Sequence, residues 1–203
     1  RDPLVGINAS QNTIILRIST RGPDREACQA KVEPVLRTIR ESLGNLVFSE
    51  VGRDLQDVVT DVLAQRGLKL AIFESDSGGL VTDWMTQTQQ GSSVLAASLI
   101  APANRLWQEE WATLGDTGEA AQAARELIQR VGMIAPADIV LASPPVESDD
   151  GEIHKLTVCV FMLHPSKMSV RSIHFSSHPA YRRITIGKHM LNTLRLWLLE
   201  TPA

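Results

Sequence analysis

The sequence predicts an α/β protein of two domains. A small α+β domain covers residues 1–66, and a three-layer α/β/α sandwich with a mixed sheet covers residues 67–203. Three observations predict this. The first third alternates β-branched runs with two apolar stripes of helical period. Gly67 to Leu80 then reads as a buried strand, a polar turn and the start of a helix. Finally, two long strands, Leu156–Leu163 and Met168–Phe175, stand close together ahead of a long amphipathic helix.

Within the first domain, Leu4–Ile7 reads as an edge strand and Asn12–Ser19 as a second strand. Gly22-Pro23-Asp24 marks a turn and a helix N-cap. The helix carries Ala27, Val32, Val35, Leu36, Ile39 and Leu43 on one stripe. Pro34 lies inside it and predicts a kink or a split, and Gly44 is a stop signal. Leu46-Val47-Phe48 reads as a short strand. Asp54 opens a second helix with Leu55, Val58, Val59, Val62 and Leu63 on one face, closed by Gly67. The domain boundary is placed between Arg66 and Lys69, where the α+β unit ends and a new strand starts.

The second domain opens with the strand Leu68–Phe73, the turn Glu74–Ser77 and a helix marked by Leu80, Val81, Trp84 and Met85. Such a turn aims backbone N–H groups and a helix dipole at one point, where an anion or a developing oxyanion can sit. Ser93–Ala101 reads as a strand that Pro102-Ala103-Asn104 breaks. Leu106, Trp107 and Trp111 suggest a short surface helix, and Asp116 and Glu119 form a capping box for a helix over residues 120–131. Asp138–Ser143 is a strand and Pro144–Glu152 an acidic loop. Leu156–Leu163, almost wholly apolar, predicts a central strand buried on both faces. The short link through Pro165 makes Met168–Phe175 its antiparallel partner. The last helix, from about Pro179 to Leu199, shows Ile184, Leu191, Leu194 and Leu198 on its buried face.

Composition narrows the function. A hydrophobic content of 43% supports a real core, and a formal net charge of −3 argues against a general nucleic-acid or membrane-surface binder. No signal peptide is visible, and the longest apolar candidate, Val94–Ala103, falls short of the roughly 20 residues a membrane helix needs. Cys28 and Cys159 sit in apolar runs and read as buried thiols of a reducing cytosol, so the expected location is cytoplasmic. The start at Arg1 rather than Met reads as a fragment. Among the five histidines only His174 and His178 share a ligand-like spacing, and they straddle a strand end. Neither a metal site nor a cofactor is expected.

Glu74-Ser75-Asp76-Ser77-Gly78-Gly79 resembles the Glu-Ser-Cys-Thr-Gly-Gly signature of the CinA (competence/damage-inducible protein) family. Ser77 stands for the Thr and Asp76 for the Cys. Gly91-Ser92-Ser93 falls where that family has Gly-Ser-Ser or Gly-Ala-Ser. The resemblance covers nearly the whole chain in order, with residues 1–66 similar to the KH-like domain of these proteins. It implies a C-terminal domain of the type that deamidates nicotinamide mononucleotide, a homodimer to which Trp107 and Trp111 would contribute, and a further N-terminal domain ahead of Arg1. A small-molecule nucleotide is the implied ligand. RNA-binding KH domains clamp nucleotides with a Gly-x-x-Gly loop, which residues 1–66 lack, so nucleic acid is not an expected partner.

Amide hydrolysis needs a nucleophile, a base to activate it and donors for the oxyanion. The resemblance makes Ser75 the nucleophile, keeps a hydroxyl at Ser77, and assigns Glu74, Gly78, Gly79, Asn104, Ser143 and Arg183 to binding. Ser75 and Ser77 serve equally well as turn formers and helix caps. The family's Tyr-x-Asn-x-x-Lys pattern falls on Pro102 to Trp107. Only Asn104 fits; Pro102 and Trp107 hold the Tyr and Lys positions. Arg105 is no substitute, because a guanidinium stays protonated. The family's Gly-rich loop reads Leu141-Ala142-Ser143-Pro144-Pro145-Val146-Glu147, with two prolines in place of N–H donors. Its Gly-Asp-Arg-x-x-x-Arg reads Ser177 to Arg183, where Arg183 alone is kept. A carboxylate at Asp76 also opposes a phosphate by roughly 1 to 4 kcal/mol at about 4 Å. The expected outcome is a deamidase-type domain with vestigial catalytic serines, acting as a structural, regulatory or ligand-binding module. The rival expectation is an active nicotinamide-nucleotide amidase with its base residues relocated.

Overall fold

A computed structural model describes residues 2–101, 136–148 and 152–201. The chain divides into two compact units, Arg1–Gly52 and Arg53–Ala203.

In the first unit, β1 (Leu4–Ser10) and β2 (Thr13–Ser19) form an antiparallel hairpin. Gln11 and Asn12 both take positive φ, 48° and 58°, the left-handed pair that a two-residue hairpin turn requires. One face carries Val5, Ile7, Ala9, Ile14, Leu16 and Ile18 by alternation. Helix α1 (Arg25–Leu43) is capped by the Asp24 carboxylate, which accepts the Ala27 N–H at 2.7 Å. Pro34 neither splits nor ends it. The Asp2 carboxylate accepts from Lys31 Nζ at 2.6 Å and Thr20 Oγ1 at 2.8 Å, and these bonds hold its pKa down to about 2. No described residue of this unit is fully buried, and Ile7 is 74% exposed. The strand expected at Leu46–Phe48 is absent: Gly44–Leu46 is a 3₁₀ turn, and no strand among the described residues pairs with it. Cys28, expected to be buried, is half-buried.

The second unit begins with α2 (Leu55–Gln65), not with Gly67. This corrects the boundary placed between Arg66 and Lys69. The cause is the apolar face of α2, where Leu55, Val59 and Leu63 are buried against elements of this unit. The sheet runs β4 (Leu95–Ile100), β3 (Leu70–Glu74), β5 (Ile139–Ala142), β7 (His154–Met162). The short β6 (Glu147–Ser148) and the long β8 (Lys167–Phe175) both pair with β7. β3 is parallel to β4 and β5; β7 is antiparallel to β5, β6 and β8. The mixed sheet is therefore as expected, and β6 is a strand where a loop was expected. Two one-sided sets of side chains fill it. Ala71, Phe73, Val140, Ala142, Cys159 and Phe161 make one buried cluster. Leu70, Ile72, Ile139, Leu141 and Val160 are buried on the opposite face.

Between β3 and β4 lie α3 (Leu80–Thr86) and the single turn α4 (Gly91–Val94). The last helix, α5 (Arg182–Glu200), follows a 3₁₀ turn at Pro179–Tyr181 and packs on β5, β7, β8, α2 and α3. It is buried on more than one side, with Ile186, Met190, Leu191, Leu194 and Leu198 fully enclosed. Ile184, expected in that stripe, is half-buried, and Ile186 takes its place. Gly187 permits the close approach of α3: a Cβ there would sit 2.8 Å from Trp84 Cζ3. No helix among the described residues is long and apolar enough to cross a membrane.

Candidate functional site

The site forms where β3 ends. Strand β3 is buried along its whole length, and the chain then turns through Ser75–Gly79 into α3. The turn is closed by the Gly78 N–H to the Ser75 carbonyl at 3.0 Å and the Leu80 N–H to the Ser77 carbonyl at 3.3 Å. Gly78 and Gly79 take φ of 60° and 89°. A side chain at Gly78 would be strained by that backbone and would press on the Arg183 guanidinium at 2.9 Å.

Glu74 is fully buried, yet its carboxylate is well supplied with donors. Oε2 accepts from Ser77 Oγ at 2.7 Å and from the Val81 N–H at 3.0 Å; Oε1 accepts from the Thr82 N–H at 2.7 Å and from Thr82 Oγ1. Glu74 thus caps α3 from a distance, with its charge at the positive end of that helix. Gly79, the residue at the cap position, contributes no side chain. Arg183, from the first turn of α5, donates Nε to the Ser77 carbonyl at 2.9 Å and Nη2 to the Gly78 carbonyl at 2.8 Å. The turn is therefore held from below by Glu74 and from α5 by Arg183.

Ser75 stands apart from this network. It is 2% exposed, and its hydroxyl is buried with no hydrogen-bond partner among the described residues. Asp76 next to it is half-buried, and its Oδ2 accepts the Val146 N–H at 2.7 Å. Ser143 follows β5 directly; its N–H donates to the Phe73 carbonyl at 3.1 Å and its hydroxyl to the Pro144 carbonyl at 3.2 Å. On the other side, the Ala101 N–H donates to the Glu74 carbonyl at 2.8 Å. The extensions of β4 and β5 thus run along either flank of the turn.

Of the residues singled out in the sequence, Glu74, Ser75, Ser77, Gly78, Gly79 and Arg183 come together at this turn, and Ser143 lies at the adjacent strand end. Asn104, with Pro102, Arg105, Trp107, Trp111, the Asp116–Glu119 capping box and the helix over 120–131, lies outside the described residues. Sequence reasoning missed Thr82 as a partner of Glu74, and Val146 as a partner of Asp76. The first was open to discovery, since an acidic residue ahead of a helix start is a capping signal. The second joins segments far apart in sequence and left no local trace.

Nearby side chains complete the electrostatics. Lys188 on α5 is buried with its ammonium 5.1 Å from the Trp84 ring centroid. Burial lowers its pKa, partly offset by Asp54. His189 stacks obliquely on Phe175, which also meets His154, and burial lowers the His189 pKa as well. Cys159, on β7, has a thiol pushed up to about 12 by burial and is no nucleophile at neutral pH.

Comparison with known proteins places this geometry. The family model described as "Damage-inducible protein CinA KH domain" matches residues 1–49, and that described as "CinA C-terminal domain" matches residues 52–198. A CinA-like protein of Dictyoglomus turgidum is 30% identical over 105 residues, which cover 52% of this chain and 26% of that one. A putative competence-damage inducible protein of Caldanaerobacter subterraneus subsp. tengcongensis is 25% identical over 204 residues, covering 97% of this chain and 48% of the relative. The chain thus spans about half or less of the length of these relatives. Among solved structures, a CinA superfamily protein from Klebsiella pneumoniae aligns with a TM-score of 0.56 at 14% identity, over 72% of this chain and 97% of that one. One from Enterobacter cloacae aligns with a TM-score of 0.53 at 19% identity, over 75% and 99%. At these identities the structures share the fold.

Proposed function

Because the chain belongs to the CinA family, we propose that its larger unit is a deamidase-type domain that has lost its catalytic apparatus and serves as a structural, regulatory or ligand-binding module. The observation that supports this reading is the isolation of Ser75. Its hydroxyl, the group that would attack an amide carbon, is buried and has no hydrogen-bonded base among the described residues. A serine hydroxyl is a weak nucleophile unless a neighbour takes its proton, and such help is typically worth about 10²- to 10⁴-fold. Ser77 gives no relay, since its own hydroxyl is committed to Glu74. Glu74 in turn is saturated by four donors at the start of α3, which favours a capping role over proton transfer. The sequence adds to this: Pro102 and Trp107 stand where the family pattern has its Tyr and Lys, and neither side chain titrates.

The test is ammonia release from nicotinamide mononucleotide by the parent chain and by Ser75→Ala. No Ser75-dependent turnover is expected from either. Robust release that disappears in Ser75→Ala would instead make the chain an active nicotinamide-nucleotide amidase with its base supplied from elsewhere.

A further inference from the structure

The Ser75 hydroxyl is buried and has no hydrogen-bond partner among the described residues. The flank of the turn on the β5 side is the segment Ser143–Val146. It carries two consecutive prolines, which leave it few N–H groups for tying to its neighbours. At its start Ser143 is bonded to Phe73, in continuation of the sheet. At its far end the Val146 N–H is held by the Asp76 carboxylate at 2.7 Å, a charge-assisted bond from the residue next to Ser75, just before the chain enters β6 and pairs with β7. We propose that this bond is a latch: Asp76 keeps the Ser143–Val146 strap against the turn and thereby closes access to Ser75. Asp76 stands where the family signature has Cys, so the latch is a property of this chain's own residue. The proposal rests on Ser75 as the centre of the site, but not on any reaction there.

The test reads access and not turnover. A chain carrying Cys28→Ser and Ser75→Cys is treated with a thiol-specific reagent, with and without Asp76→Ala. Cys159, buried on β7, is the internal control. Loss of a charge-assisted bond should raise the reaction rate of the introduced thiol about 10- to 100-fold, while Cys159 stays silent. Asp76→Asn, which keeps an acceptor oxygen, should give a smaller rise. An introduced thiol that reacts no faster in the Asp76→Ala chain overturns the proposal. If Asp76→Ala unfolds the chain, Cys159 will react in step with the introduced thiol. The decision then passes to the chain with Asp76 intact, where hydrogen exchange of the Val146 amide and modification of the introduced thiol should share one opening equilibrium; unequal equilibria overturn the proposal. Because no step involves the mononucleotide, failure here leaves the deamidase question where it was.

Discussion

Glu74 and Ser75 are neighbours in sequence, both buried and both polar, yet they stand in opposite energetic positions. Removing the Glu74 carboxylate leaves the buried Val81 N–H and Ser77 hydroxyl, and the half-buried N–H and hydroxyl of Thr82, without their charged acceptor. Glu74→Ala should therefore destabilise the larger unit by about 3 to 5 kcal/mol, as expected when a buried charge-assisted set is broken. Ser75→Ala removes a hydroxyl that has no partner to lose among the described residues. Its expected effect lies between neutral and a gain of about 1 kcal/mol. Urea denaturation of the two variants beside the parent checks both. A loss above about 1.5 kcal/mol for Ser75→Ala would mean that the hydroxyl has a partner after all. At this scale the sequence was informative about which residues gather at the turn, and silent about how they divide the work. The pattern from Glu74 to Gly79 marks the place, whereas the assignment of donors depends on Thr82, Arg183 and Val146, which reach the turn only through the fold.

Among the elements, the buried stretches were the legible ones. The apolar run at β7 and the alternating β8 announce themselves because burial dictates their composition. Leu46–Phe48 looked like a strand for the same reason but has no neighbour to bond with, and Pro34 sits in the middle of α1 against its own preference. Helix α2 was assigned to the wrong unit since its apolar stripe says that it packs, not on what. The packing of α5 on β8 has a pH consequence. Burial holds the His189 pKa below its ordinary 6.5, so the native state resists taking up a proton that the unfolded chain binds. Stability from this group is complete above about pH 6.5 and is lost as the pH falls through the depressed native value. The urea midpoint should fall between pH 8 and pH 5.5, and His189→Gln should flatten that fall. Equal slopes in the two chains would remove the role given to His189.

For the whole molecule, the order of elements predicted the α/β class and the mixed sheet, since strands separated by helices lie parallel and strands joined by short links lie antiparallel. The division at Gly52 was not legible, because no glycine–proline cluster or change in composition marks it. The same mixed sheet implies a timetable. Strands β7 and β8 are joined by a short link and pair along nine residues each, so they meet at little cost in chain entropy. Strand β3 has β4 close in sequence on one edge but must wait for a distant partner on the other: Leu70 lies opposite Ile139, and the turn after it is finished only when Val146 and Arg183 arrive. In pulse-labelled refolding, amides of β7 and β8 should be protected before those of β3; the reverse order would refute the scheme. On a ribosome the consequence is sharper. The strand that leads into Ser75, apolar from Leu70 to Phe73, emerges early with β4 alone close behind it, and its other edge stays a candidate for chaperone capture until β5 has been made.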